Sequence, residues 1–473
     1  MIFLEKVALL PYAAISSRAK LCEYSNLNAF IFNGNNGNVN NNNKDNANSV
    51  RPVSEFLKGY PTFEEFVVSM YDAFKLCLKN KASSPSALDF CLHKAENMQR
   101  LSRAVYNCEY TPERSIAFIV SVPSYREVIA ADFADRIVHH WVVSRLDPIL
   151  EGLGIFNEHA YSCRVGKGNL AAINAMQEEI FKASKGYREE CYVASFDLQS
   201  FFMSIDKRRL YDRLVELVQQ HYHENDKDIL LYLIRVIVFN QPTEGAIRHS
   251  PLSEWSELPR RKSLYHLAWY LGLPIGNLPS QQNANFYNSP AMCWLRSIGL
   301  TPINYVDDFY FVVRDAAQMT QAMPHIRNYF KEELGLSVHP RKFYLQPARH
   351  GIKILGGVVK LNRLYVSTRT VSHFVQKIYY YNNIVGIYRW KRRRLAEKFV
   401  STINSYLGIM QHFATYNIRR RLTRQISEVW GDILRFDKNC DKAIIEPRYR
   451  TADRYRYRTR RNHRRRLRTY QNL

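Results

Sequence analysis

Two short apolar runs, about a hundred residues apart, constrain this chain's fold more than any other feature. Cys191 to Phe196 runs straight into Asp197. Ile303 to Val306 runs into Asp307-Asp308 and leaves through Phe309 to Val313. Runs of this length predict buried strands. The second is then a strand–turn–strand presenting two carboxylates, facing the end of the first. An Asp-Asp pair alone says little, because turns favour Asp for local hydrogen bonding. Flanked by apolar strands and matched by a third carboxylate at a strand end, the pair predicts catalysis. Phosphoryl transfer from a nucleoside triphosphate uses two divalent cations about 3.5–4 Å apart, and magnesium is held by a few carboxylates plus substrate phosphates.

The rest of the chain supplies the frame. Phe63, Phe66, Val67 and Tyr71 recur at helical steps, Leu88, Leu92 and Met98 suggest a second helix, and Asp132 to Leu150 reads as another, with Ile137, Val138, Trp141, Val142 and Leu146 on one side and Pro148 marking its last turn. Leu210, Leu214, Leu217 and Val218 form a stripe behind Asp206, a candidate N-cap. Gln241 to Lys262 reads as a surface loop. Beyond Gly356-Gly357 a hairpin turns near Asn362, and helix is expected from Val371 to about Leu434, with Phe399, Ile403, Tyr406, Leu407 and Met410 as its stripe. Asn26 to Asn48 has no core pattern and reads as a flexible insert.

Composition narrows the partners. A formal charge of +24, accompanied by 31 Tyr and 25 Phe, suits phosphate contact and base stacking. Charge cannot separate an enzyme from a binding module. Between Arg448 and Arg468 stand eleven arginines and one Asp, a segment expected to stay disordered until it meets RNA or DNA. The eight cysteines are scattered without Cys-x-x-Cys or zinc spacing, which predicts reduced thiols. No run approaches the 18 to 20 apolar residues of a membrane span, and Glu5 stands where a secretory leader carries positive charge. A cytosolic protein without membrane contact is expected.

With these residues in view, the chain from roughly Arg100 to Ile433 resembles reverse transcriptases. Phe196-Asp197-Leu198-Gln199-Ser200-Phe201-Phe202 is similar to their first palm motif, and Tyr305-Val306-Asp307-Asp308-Phe309 to their catalytic hairpin. The resemblance implies that Asp197 and Asp307 bind both metals with Asp308 in support, and places Leu198 in the metal-binding set. It implies that Phe202 blocks a ribose 2′-hydroxyl; either of Phe201 and Phe202 could instead be core. Gly272-Leu273-Pro274-Ile275-Gly276-Asn277-Leu278-Pro279-Ser280-Gln281 resembles the corresponding motif in reverse transcriptases of diversity-generating retroelements. Many other reverse transcriptases carry Gln where this chain has Ile275, and that Gln checks the base pair. An apolar Ile cannot make the same hydrogen bonds, so the resemblance implies misincorporation opposite template adenines. Pro279 departs from that family's pattern.

Other segments agree in order. Ile129 to His140 resembles a fingers segment, with Arg126 at the position of a triphosphate-contacting cation. Arg164, Gly166, Lys167 and Gly168 could approach a phosphate backbone. Lys342, within His339-Pro340-Arg341-Lys342, falls where a lysine neutralises or protonates pyrophosphate. Leu355-Gly356-Gly357 resembles the primer-grip turn, and Ser405-Tyr406-Leu407-Gly408 a thumb segment. Gly276 and Gln281 complete the nucleotide-binding candidates; Gly356, Arg389, Arg392 and Arg393 join the nucleic-acid-binding ones.

The implied architecture is α/β: a right-hand polymerase with fingers, an antiparallel-sheet palm and a helical thumb. Its expected divisions are 1–55 (N-terminal element with the Asn-rich insert), 56–190 (N-terminal helices and fingers), 191–366 (palm, with an insertion about 225–270), 367–440 (thumb) and 441–473 (basic tail). Two Mg2+ ions (or Mn2+), an RNA template, a DNA or RNA primer and deoxynucleotides are the implied cofactors and partners. A small basic oligomeric accessory protein and a bacterial or phage cytoplasm follow from the same resemblance. Two alternatives stay open: a reverse transcriptase of a bacterial anti-phage defence system, and a non-catalytic RNA-binding polymerase scaffold. An RNA-templated RNA polymerase is disfavoured by Phe202.

Overall fold

The structure is a computed structural model that describes residues 60–446, apart from 80, 81, 83, 122, 123, 157 and 388–391. The Asn-rich insert, the arginine segment and Arg389 lie outside the described residues, and only the helical backbone is described for Arg392 and Arg393. The chain divides into two compact units, Met1–Ile149 with Asp206–Ser280 and Leu150–Ile205 with Gln281–Leu473.

The described part of the first unit opens with helices α1 (Phe63–Leu78), α2 (Pro85–Leu92) and α3 (Lys94–Tyr106). Thr62 and Glu65 start α1 by exchanging side-chain and backbone hydrogen bonds, a reciprocal cap that satisfies two orphan donors. Phe66, Met70, Phe74 and Cys77 then bury at helical spacing. Strands β1 (Ile116–Val120) and β2 (Arg126–Ala130) pair antiparallel, Ile116 opposite Ala130. Helix α4 (Phe133–Gly152) follows with the expected stripe fully buried at Ile137, Val138 and Trp141.

The second unit begins with α5 (Asn169–Ala183), β3 (Tyr192–Asp197) and one helical turn, Phe201–Ser204. The chain returns to the first unit as α6 (Lys207–His221), capped as expected by Asp206, whose Oδ1 accepts the Arg208 amide at 2.8 Å, and α7 (Lys227–Phe239). The expected surface loop Gln241 to Lys262 is partly ordered. It contributes β4 (Ile247–Arg248), parallel to β1, because the amides of Ile247 and His249 meet the carbonyls of Ser115 and Ala117 at 2.9 Å. An open edge such as that of β1 offers unpaired groups for this purpose.

Helix α8 (Leu278–Ser297) leads to β5 (Ile303–Tyr305), β6 (Asp308–Val313), α9 (Ala316–Leu334) and β7 (Tyr344–Pro347). Within the second unit these complete an antiparallel sheet of order β5-β6-β3-β7. A smaller antiparallel sheet follows from β8 (Ile352–Ile354), β9 (Gly357–Lys360) and β10 (Arg363–Val366), with the β9–β10 turn at the expected place.

Helices α10 (Thr368–Ile387), α11 (Arg392–Met410) and α12 (Tyr416–Thr423) come next. Phe399, Ile403, Leu407 and Met410 are fully buried. Two differences from the sequence expectation appear here. The helical stretch ends before Leu434, which starts β11 (Leu434–Phe436). That strand pairs with β12 (Ala443–Ile445), inside the stretch assigned to the tail. The reason is local burial: Ala443 and Ile445 are in the core, and Asn404 of α11 hydrogen-bonds both the amide and the carbonyl of Ala443, at 2.7 and 2.9 Å. Among the described residues no helix is long and apolar enough to cross a membrane.

Candidate active site

Side chains alternate along a strand, and the second unit's main sheet uses this to make two unlike faces. Phe196, Phe309 and Phe311 stack on one face, with ring centroids 5.1 and 5.6 Å from Phe196, and Phe330 of α9 meets Phe196 edge-on at 5.8 Å. The opposite face carries Asp197 and Asp308, directly across from one another in the β3–β6 register. Burying the phenylalanines therefore forces both carboxylates to the same side. Like charges in such a pair repel. Burial, followed by the charges of Asp307 and Asp197, pushes the Asp308 carboxyl up to about 6.

The hairpin turn between β5 and β6 is Val306-Asp307, with Tyr305 paired to Asp308. Val306 has φ +59 while Asp307 is not left-handed, the pattern of a turn that ordinarily takes Gly at its first central position. For a β-branched residue this is a strained conformation. Two buried side-chain amides hold it. Asn288 Nδ2 donates to the Val306 carbonyl at 2.8 Å, and Asn304 Nδ2 bridges the carbonyls of Val306 and Asp308 at 3.1 and 3.2 Å. Sequence reasoning missed both. The available signal was the density of polar residues from Gln282 to Ser289 in a helix that proves to be buried.

Beyond Asp197 the chain stays pinned. Leu198 N–H donates to the Asp307 carbonyl at 3.0 Å, and His339 N–H to the Asp197 carbonyl at 2.8 Å. The second contact brings Lys342 alongside, and its Nζ donates to Asp197 Oδ2. Asp197 Oδ1 is buried with no hydrogen-bond partner. An orphaned, buried carboxylate oxygen beside a second carboxyl pushed upward by its neighbours suits a hard divalent cation. The donor set fits: Asp197, Asp307 and Asp308, with Leu198 able to contribute only its carbonyl, since its hydrocarbon side chain carries no ligand atom. Among the described residues no group of three His, Cys, Asp or Glu forms a ready-made cage; Mg2+ sites completed by substrate phosphates do not require one.

Tyr310, two residues past Asp308 on the same face and 7% exposed, hydrogen-bonds the Asp308 carboxyl and the backbone of Leu355. It ties the carboxylate to the Leu355-Gly356 turn, both of whose residues have positive φ. This residue, too, was missed by sequence reasoning.

The remaining candidates divide. Phe201 is core at 2% exposed, whereas Phe202 is half-buried and touches the Phe201 ring at 5.6 Å. Arg164 is spent within its own unit: Glu151 takes it at 2.8 and 2.6 Å and the Ala160 carbonyl at 2.7 Å. Lys167 Nζ reaches the Glu158 carbonyl at 3.0 Å. Gln281 is exposed in the first turn of α8. Arg126, Ile275 and Gly276 belong to the first unit. There Arg126 is exposed at the start of β2, and the Ile275 carbonyl accepts from Ile129 of that strand at 2.9 Å.

An antiparallel sheet with strand-end carboxylates on one face and a helix-packed aromatic face behind them is the palm of a right-hand polymerase. Residues 120–359 match the family described as reverse transcriptase (RNA-dependent DNA polymerase). The match takes in just over half of the 473 residues, and the chain belongs to this family. No curated protein matches it.

Solved structures similar to this chain include apo telomerase from Candida tropicalis truncated from its C-terminal domain (11% identity, TM-score 0.38, covering 54% of this chain and 55% of that one). Telomerase from Candida albicans in complex with a TWJ fragment of telomeric RNA follows at 11% identity, TM-score 0.36 and 67% and 59% coverage. Apo telomerase from Candida tropicalis has 10% identity, TM-score 0.40 and 67% and 58% coverage. The chain spans less than two thirds of the length of each of these telomerases.

Proposed function

We propose that this protein copies an RNA template into DNA by two-metal nucleotidyl transfer, and that it does so with frequent errors opposite template adenines, as part of a diversity-generating element. The observation that carries the polymerase reading is the direct pairing of Asp197 with Asp308, Lys342 beside them. Magnesium ions held by Asp197, Asp307, Asp308 and the Leu198 carbonyl would acidify the primer 3′-hydroxyl and neutralise the triphosphate.

The chain's own residues do the rest. Strained Val306, clamped by Asn288 and Asn304, fixes Asp307 and Asp308 before substrate arrives, so little reorganisation is left for the reaction. Lys342, 58% exposed at its side chain, exchanges Asp197 for the leaving pyrophosphate and can donate a proton to it. Half-buried Phe202 excludes a ribose 2′-hydroxyl by bulk. Arg126 receives the triphosphate. Ile275 meets the nascent base pair with a surface that cannot accept or donate hydrogen bonds, which supports the error-prone reading. A small basic accessory protein and a template RNA encoded nearby belong to the same proposal.

The test is primer extension on a defined RNA with deoxynucleotides and Mg2+, with products sequenced. The Asp307→Ala, Asp308→Ala double variant should abolish synthesis. Ile275→Gln should lower errors opposite adenine. Faithful synthesis by the unaltered protein would remove the mutagenic role and favour the defence lineage. Absence of synthesis with and without the accessory protein would leave an RNA-binding scaffold.

A further inference from the structure

Ile275 sits on a turn, yet its position is not left to a loop. The Ile129 amide donates to the Ile275 carbonyl at 2.9 Å, and two residues further along each chain the Ala131 amide donates to Asn277 Oδ1 at 3.1 Å. The Asn277 side chain thus continues the ladder where the backbone turns away into α8. Between the two bonds lies Gly276, with φ +119. A Cβ there would stand 2.9 Å from Val128 Cγ1 and 3.4 Å from the Ile129 carbonyl. Only glycine permits both this conformation and this approach.

Asn277 precedes a helix that starts at Leu278, where an Asn ordinarily caps the helix. Here its Oδ1 is committed to the residue just past the end of β2, 146 positions away. Asn277 is 8% and Ala131 6% exposed, so water cannot readily replace that bond. The same strand begins with Arg126.

We infer that Asn277 is a positioning residue for base selection. It holds the Ile275 turn on β2, so that discrimination depends on the Asn277–Ala131 bond as well as on the side chain at 275. The inference rests on the reading of Ile275 as the residue that meets the nascent base pair, and adds the strand that aims it.

The experiment is single-nucleotide incorporation by the full chain, matched and mismatched, opposite adenine. Asn277→Leu keeps the volume and loses the acceptor; Asn277→Asp keeps the acceptor. Loss of one buried hydrogen bond should shift the mismatched-to-matched ratio by about five- to a hundredfold, mainly through KM for the nucleotide, with Asn277→Asp within about twofold of the parent. In an Ile275→Ala background the shift should vanish, because the residue being aimed is gone. If Asn277→Leu does not fold, Asn277→Ser serves, being too short to reach Ala131. An unchanged ratio in a folded variant overturns the inference, as does an equal shift in the Ile275→Ala background. Should the parent be faithful opposite adenine, the mutagenic reading falls, while the matched KM and its loss of effect in Ile275→Ala still decide the role of Asn277.

Discussion

Replacing Asp308 with Asn should make the protein more stable and catalytically dead. Burial and the neighbouring Asp307 and Asp197 raise the Asp308 carboxyl from an ordinary 3.8 to about 6. At 1.36 kcal/mol per pH unit, that displacement corresponds to about 3 kcal/mol against the charged form. Asp308 is not wholly enclosed, so solvent screening reduces this to about 1–3 kcal/mol. The sign follows from the direction. Below about pH 4 the carboxyl is neutral in both folded and unfolded chains and exacts no penalty. As pH rises through about 6 the folded state must carry the charge and stability is lost. Asn carries no charge at any pH. Urea unfolding with a chelator present should therefore show Asp308→Asn ahead by about 1–3 kcal/mol at pH 8, with the gap closing at pH 4. Added Mg2+ should stabilise the parent more than the variant, and primer extension should fall by at least about a hundredfold. Equal stability at pH 8, or an advantage independent of pH, would refute the electrostatic account.

Three further outcomes follow from the same structure. Burial also pushes Asp135 up to about 7 despite its bonds from Tyr110 Oη and the Glu113 amide; stability should fall as pH rises from 5 to 8, and Asp135→Asn should flatten that dependence by about 1–3 kcal/mol in urea titrations. Tyr310→Phe removes a hydrogen bond to Asp308 and should slow primer extension about tenfold and lower stability to urea by about 1–3 kcal/mol, the scale expected for a bond to a charged group. Asn404→Ala strands both polar groups of Ala443 and should cost about 1–3 kcal/mol, read as lost hydrogen-exchange protection in β11 and β12.

Much of the site was legible as pattern. Strand alternation alone places Phe196 and Asp197 on opposite faces, and the same logic on Phe309 and Asp308 leaves the two carboxylates on one side. The cap at Asp206 and the stripe through Phe399, Ile403 and Leu407 were visible for the same reason, since each depends on residues three or four apart. Arg164 shows the limit. Its neighbours Gly166 and Lys167 suggested phosphate contact, and nothing in their pattern showed that Glu151, thirteen positions away, engages its guanidinium. Leu434 and Ala443 to Ile445 show another: three-residue strands are too short for periodicity to reveal, and the asparagine that orders Ala443 lies 39 positions upstream.

The sequence by itself determined that Asp197 and Asp308 would stand on one face of an apolar sheet, with Asp307 beside them in the turn, because burying alternate aromatics leaves those two aspartates only one side to occupy. Tertiary structure alone decided what those carboxylates meet. Lys342 reaches Asp197 across 145 positions, Asn288 clamps Val306 across 18, and Asn277 joins Ala131 across 146. Each is a polar contact by a side chain whose partner is chosen by how the backbone closes on itself, and hydrophobic periodicity carries no record of that choice.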